Sequence, residues 1–180
     1  MSASYSLKIT KTMKKITVIS ASSVKNFELA QRFQNQLIDL GADVSVINLP
    51  ELDLPLYSSL ADSKYDAKKL LGPWLETLQS SHGFVFIAPE YNGGIPPVFT
   101  NFLAWVSRSS KDWRECFNGK CGVIGTFSGG GSGYILTALR MQLSYIGMNI
   151  LGRQILAHSS KPADEQSILI ACQQLLTHSL

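Results

Sequence analysis

The chain has 180 residues, 45% of them hydrophobic and 16% charged, and carries a net charge of +3. This length holds one domain with a sizeable core and leaves too little chain for two, and the composition excludes a disordered chain. The mild positive charge without any Lys/Arg block gives no support for a nucleic-acid partner, and no apolar run approaches the roughly 20 residues that a membrane span needs. Cys116, Cys121 and Cys172 form no C-x-x-C pair, and their odd number points to reduced thiols in a cytoplasmic protein.

In chain order, the first acidic residue is Glu28, so the N-terminus is basic and rich in Ser and Thr. Residues 1–13 read as a flexible tail, with Met13 a second possible start, and a transit peptide is the competing reading. Ile16 to Ile19 is a short β-branched run and the first expected strand. The polar stretch Ser20–Asn26 follows. Leu29, Ala30, Phe33, Leu37 and Leu40 then recur at helical spacing, and Gly41 closes that helix. Val44 to Ile47 gives the second strand, and Asn48–Ser59 a long connection. Leu70 to Leu78 marks the second helix, with Gly72-Pro73 imposing a kink or a restart. Phe84 to Ala88 is the third strand and Val98 to Arg108 the third helix. Lys111 to Lys120 is a polar excursion. Gly122 to Phe127 is the fourth strand, and Ile135 to Ile146 the fourth helix. Asn149 to Leu156 contains the fifth strand, and Pro162 is expected to open the last helix.

Five strands alternating with five helices specify a parallel sheet covered on both sides. The expected fold is an α/β three-layer sandwich with a five-stranded parallel sheet in the flavodoxin-like order 2-1-3-4-5, forming a single domain over residues 14–180. In that order the first, third and fourth strands are neighbours. The loops that leave their carboxyl ends, Ser20–Asn26, Pro89–Pro97 and Ser128–Gly133, share one edge.

Ser20, Ser22, Ser23, Lys25 and Asn26 offer donors and a cation at the start of a helix, where the N–H groups favour an anion such as a terminal phosphate. By itself this loop reads first as a helix N-cap. In the second loop Gly93 and Gly94 let backbone approach a flat ligand, Asn92 offers donor and acceptor to a heterocycle's edge, and Tyr91 offers a face or a hydroxyl. Glu90 reads also as a capping residue. Ser128, Gly129, Gly130 and Gly131 suit the edge of a ring, or else a mobile surface connection. Together the three loops point to a nucleotide-like ligand with a phosphate at one end and a ring at the other.

Pro89-Glu90-Tyr91-Asn92-Gly93-Gly94-Ile95-Pro96, followed by Asn101, Trp105, Ser107 and Arg108, resembles the P-E-Y-N-G-x-I-P-x-x-x-x-N-x-x-x-W-x-S-R pattern of the NAD(P)H-dependent FMN reductases. These are flavodoxin-like proteins that include quinone, azo and chromate reductases. The resemblance runs from about Lys14. It takes in Asp53-Leu54-Pro55-Leu56-Tyr57, the glycine-rich turn, and Leu139, Arg140 and Leu143. It implies that Pro89–Gly94 and Ile95 line the flavin ring and ribityl chain, that Ser128–Gly131 closes over the ring's other side, and that the first loop holds the phosphate. The first loop is shorter than the family's G-S-x-R-x-x-S-x-N and lacks its Gly and Arg, with Lys25 as a point cation in their place. The phosphate end is therefore expected to bind differently, or less tightly.

The resemblance further implies bound FMN, NADPH or NADH as co-substrate, and ping-pong passage of two electrons through flavin N5 to a small-molecule acceptor (quinone-like, azo, metal or flavin). It also implies a homodimer or homotetramer, with Asn48–Ser59 and the Trp105 helix as contact surfaces. No side-chain acid or base is nominated. His82, His158 and His178 lie outside the three loops, Ser128 has no His partner, and no cluster has metal-ligand spacing. The alternatives are a flavin-binding electron carrier or redox-responsive module without efficient pyridine-nucleotide turnover, and a nucleotide-binding module without flavin.

Overall fold

The computed structural model describes residues 13–179. The expected N-terminal tail therefore lies, Met13 apart, outside the described residues. The chain runs β1 (Lys15–Ser20), α1 (Lys25–Asp39), β2 (Asp43–Asn48), α2 (Ser59–Lys64), α3 (Ala67–Leu71), α4 (Pro73–Ser80), β3 (Gly83–Ile87), α5 (Pro97–Ser109), β4 (Cys121–Phe127), α6 (Tyr134–Tyr145), β5 (Asn149–Ile150), β6 (Ile155–Ala157) and α7 (Glu165–His178). Short 3-10 turns occupy Leu49–Leu52 and Trp113–Cys116. No helix among the described residues is long and apolar enough to cross a membrane.

The strands form one sheet in the order β2-β1-β3-β4-β5, all parallel, with β6 also paired to β4. Side chains alternate between its faces. Val18, Val85 and Val123 meet Phe33 and Leu37 of α1 and Cys172 of α7 on one side. Phe84, Phe86 and Ile124 meet Leu78, Phe99, Phe102 and Leu139 on the other. Burial on both faces explains why these strands read as unbroken apolar runs. The register sets Ser20 of β1 beside Ile87 of β3, and Ile87 beside Gly125 of β4. The Ala21 N–H donates to the Ile87 carbonyl at 2.9 Å and the Ala88 N–H to that of Gly125 at 3.2 Å. These bonds hold the ends of the three central strands level, so the loops leaving them share one edge.

The expected flavodoxin-like order holds, with local differences besides the added helix α2. The Asn149–Leu156 stretch supplies two strands rather than one. Cys121 pairs with Asn149 and Gly125 with Ile155, so this chain spends six residues while β4 advances four. The surplus around Gly152 leaves the ladder, and Arg140 donates to the freed carbonyls of Ile150 and Leu151 at 2.9 and 3.0 Å. Secondly, Gly72-Pro73 produces a restart: Gly72 ends α3 with φ +52° and Pro73 begins α4. Thirdly, α7 begins at Glu165 rather than Pro162, because Asp164 is its N-cap and accepts from the Ser167 N–H at 2.8 Å.

That hydrogen bond is the first cause holding the Asp164 carboxyl below its ordinary pKa. A depressed carboxyl stabilises the fold above its unfolded pKa and loses that contribution as pH falls through the folded value. Asp164→Ala should lower the melting temperature at neutral pH, and the gap from the parent should close in strong acid. A gap that persists in acid would show that the charge is not the source.

Candidate functional site

The first loop is shaped by its own side chains. Ser20 is fully buried, and its Oγ donates to the Ser22 carbonyl at 2.7 Å and accepts from the Ser22 N–H at 3.4 Å. Ser22 Oγ accepts from the Val24 N–H at 3.3 Å. The Asn26 side chain, which is 3% exposed, reaches across to the end of β4. It donates to the Phe127 carbonyl at 3.0 Å and accepts the Phe127 N–H at 2.8 Å. Asn26 thus closes a backbone-like pair between α1 and β4, which occupies its amide. Ser23 is exposed and touches Asn48, and Lys25 pairs with Glu28 at 2.8 Å with both side chains more than half exposed. Such an exposed pair holds little energy and leaves the ammonium free to re-aim.

The start of α1 is left open. Its N-cap is Val24, which has no side-chain acceptor to give, and the first N–H in the helix to find a partner is that of Glu28, on the Val24 carbonyl. Among the described residues nothing accepts from the N–H groups of Lys25, Asn26 and Phe27. Three unmet donors at the positive end of a helix dipole, beside an exposed lysine, suit a dianionic phosphate.

The second loop is a tight hairpin. Tyr91 and Gly94 exchange N–H···O bonds of 3.1 and 2.9 Å, with Asn92 at φ +51° and Gly93 at φ +74° between them. Two successive positive φ values define a type I′ turn, for which Asn-Gly is the favoured pair. Pro89 and Pro96 are buried and anchor its base, while Tyr91, Asn92 and Gly93 are exposed at its tip and Ile95 is half-buried.

Glu90 joins this loop to the third. One carboxylate oxygen accepts from Ser132 Oγ at 2.5 Å and the other from the Ile135 N–H at 3.1 Å. Gly133, the N-cap of α6, has no side chain, so Glu90 caps that helix from another loop. Removing it should uncap α6 and unlink the two loops. Glu90→Ala should cost about 1–2 kcal/mol, with Glu90→Gln recovering part of it, as read by chemical denaturation. Equal stability of the parent and Glu90→Ala would show that the link carries no energy.

Ser128 is buried, and its N–H donates to the Ala157 carbonyl at 2.9 Å. Beyond it Gly129 and Gly130 are exposed, and Gly131 adopts φ +65°. Among the described residues no acceptor in the chain takes the N–H groups of Gly129, Gly130 or Gly131. A Cβ on Gly93 or Gly129 would meet nothing within 4 Å, so bare backbone borders open space on both loops. The residues present therefore fit FMN: unmet donors for its phosphate at one end, and bare backbone for a ring edge at the other.

The sequence reading leaves out His158. Ala157 pairs with Phe127, so the residue after it lands beside the third loop, and a Cβ on Gly131 would lie 3.2 Å from His158 Cδ2. His158 Nδ1 lies 3.0 Å from Ser160 Oγ. Only the pairing of β6 with β4 brings this histidine near, and no local signal announces it.

The second half of the family-like pattern is scaffold. Asn101 accepts from the Tyr57 N–H at 2.7 Å and donates to the carbonyls of Leu54 and Pro55. Trp105 Nε1 donates to the Pro55 carbonyl at 2.7 Å, and Arg108 grips the Asp62 carboxylate through two nitrogens at 3.0 and 2.9 Å. Together they clamp Asp53–Tyr57 and α2 onto α5. Trp105 is fully buried within the chain, so a contact surface on its helix would have to come from that helix's other residues.

The chain is similar to several known proteins. A curated relative, 2-hydroxy-1,4-benzoquinone reductase from Burkholderia sp., is 31% identical over 103 residues, covering 56% of this chain and 54% of the relative. The chain thus spans about half the length of that relative. Among solved structures, FerB, a flavoenzyme NAD(P)H:(acceptor) oxidoreductase from Paracoccus denitrificans, superposes with a TM-score of 0.74 at 21% identity, covering 93% of this chain and 100% of FerB. An oxidoreductase from Corynebacterium diphtheriae gives 0.68 at 18% identity, covering 93% and 97%. A flavodoxin from the domain Archaea gives 0.60 at 19%, covering 89% and 92%, and these three likenesses establish the fold. The sequence profile of one family, described as NADPH-dependent FMN reductase, matches residues 14–162, which takes in all three loops, the Asn101–Trp105 clamp and His158. On that match the chain belongs to the NADPH-dependent FMN reductase family.

Proposed function

We propose that this protein is an FMN-containing oxidoreductase that takes two electrons from NADPH or NADH and delivers them to a small quinone-like acceptor, with azo compounds, metal ions or free flavins as further acceptor classes. The observation that carries the reading is the shared edge: an uncapped α1, a type I′ turn and a glycine loop with unmet N–H groups emerge side by side. Family membership and the quinone reductase relative support the reaction class. When bound, the flavin supplies the two-electron chemistry at its N5. The first-turn N–H groups of α1, with Ser23 and Lys25, hold the phosphate. The Asn92 turn fixes the ring's polar edge. The unmet N–H groups of Gly129–Gly131 would stabilise negative charge on the bound group. The protein is read as cytoplasmic, as one domain over residues 14–180, and as a homodimer or homotetramer.

A second reading, an FMN electron carrier, draws on the first loop: Lys25 is paired with Glu28 and no arginine stands there. Anaerobic mixing of FMN-loaded protein with NADPH or NADH separates the two. The reductase reading expects the flavin absorbance to bleach within seconds and to return on addition of a quinone. Flavin that stays oxidised at millimolar pyridine nucleotide would leave the carrier reading standing alone.

A further inference from the structure

Beside the first loop lies a cavity that the flavin reading leaves empty of purpose. It has a volume of about 340 Å³ and runs between the outer face of α1 and the connection from β6 to α7. That volume is within the usual range for small-molecule sites. Its apolar lining is Leu29 and Ala157, both buried, with Phe127 and Pro162. Its rim is charged, with Lys25 paired to Glu28 and Arg32 to Glu165. Lys25, Glu28 and Arg32 fall at successive turns of α1, and His158 faces them from the other bank. Arg32 is held in place by the Ala163 carbonyl at 2.7 Å and the Glu165 carboxylate at 2.6 Å. Lys25 is also the first residue of α1, so the cavity opens directly onto the phosphate cradle.

We propose that this cavity binds the adenylate half of a dinucleotide, a reading that rests on the phosphate cradle and hence on the flavin function. A purine fits a slot lined by aliphatic side chains and one aromatic, Phe127. Glu28 supplies an acceptor for a ribose hydroxyl, as acidic residues do in dinucleotide sites. Lys25 and Arg32, on exchanging Glu28 and Glu165 for the ligand, offset the charge of a second phosphate, and a ligand that ends in the cradle extends into this cavity once another phosphate is joined to it. Two molecules carry that chemistry: FAD, seated through its flavin half, and the pyridine nucleotide, with its adenylate placed here.

The test is a calorimetric titration of the full-length apoprotein with AMP, repeated on Ser159→Leu, which fills the rim with no charge or aromatic face, and on Glu28→Ala. AMP should bind the parent, and each variant should weaken it by about tenfold, while FMN affinity in Ser159→Leu stays unchanged. If one dinucleotide spans both sites, FAD should bind about tenfold or more tighter than FMN. If the site serves the hydride donor, AMP should compete with NADPH in steady-state turnover. Either result supports an adenylate site. Absence of AMP binding at millimolar concentration, or AMP affinity equal in the parent and both variants, overturns it. Binding of AMP without binding of FMN would uphold the site and sink the flavin reading instead.

Discussion

Asn92→Ile should lower FMN affinity about a hundredfold. Asn92 sits at φ +51° between Tyr91 and Gly94, and a β-branched residue resists that conformation. Left-handed backbone costs an ordinary residue roughly 1–2 kcal/mol, and loss of the hydrogen bonds proposed between the amide and the ring adds about 1 kcal/mol more. The strain opens the turn in the free protein, so binding must first rebuild it. The sum is two decades of affinity at about 1.4 kcal/mol each. Asn92→Gly separates the two contributions. Glycine keeps the turn and removes only the amide, so its loss should be about tenfold or less. Flavin fluorescence titration reads both variants. If FMN binds Asn92→Ile with unchanged affinity and an unchanged spectrum, the hairpin does not seat the ring.

The largest effect on stability should come from Trp105→Ala, about 3–5 kcal/mol. Trp105 is fully buried, with Tyr57 and Tyr65 packed edge-on to its indole at centroid distances of 5.3 and 6.3 Å. Its truncation leaves a cavity under Asp53–Tyr57 and strips the Pro55 carbonyl of the indole donor. For a chain of this size the midpoint of thermal unfolding should fall by roughly 10 °C. Trp105→Phe keeps most of the packing and loses the hydrogen bond, so it should cost nearer 1 kcal/mol. Equal melting of the parent and the alanine variant would refute the clamp.

Much of this was legible in the sequence because it is written in local patterns. Ile16–Ile19 and Phe84–Ile87 announce buried parallel strands through unbroken apolar runs, and Asn92-Gly93 announces its turn through the φ values that those residues tolerate. Gly41, at φ +84°, ends α1 where its type predicts. What escaped depends on pairing between distant segments. Asn26 looks like a phosphate donor in the sequence, yet its amide is occupied by Phe127, a partner 101 residues away. His158 reaches the glycine loop through the register of β6 alone. The helix α2 has a single buried residue, Ala61, and is nucleated by the Ser58 cap at 3.1 Å, so it carries no apolar periodicity to detect. The pattern residues Asn101 and Trp105 and the segment Asp53–Tyr57 were each visible, but nothing local told that they bind one another.

The central claim is that three loops on one sheet edge form a single flavin seat, and amide hydrogen exchange with and without FMN tests it most directly. FMN should slow exchange together at Lys25–Phe27, at Asn92–Gly94 and at Gly129–Gly131, whose N–H groups lack partners or sit at the turn, and leave the far ends of the strands unchanged. Protection confined to one loop, or lying elsewhere on the molecule while FMN is bound, would contradict it.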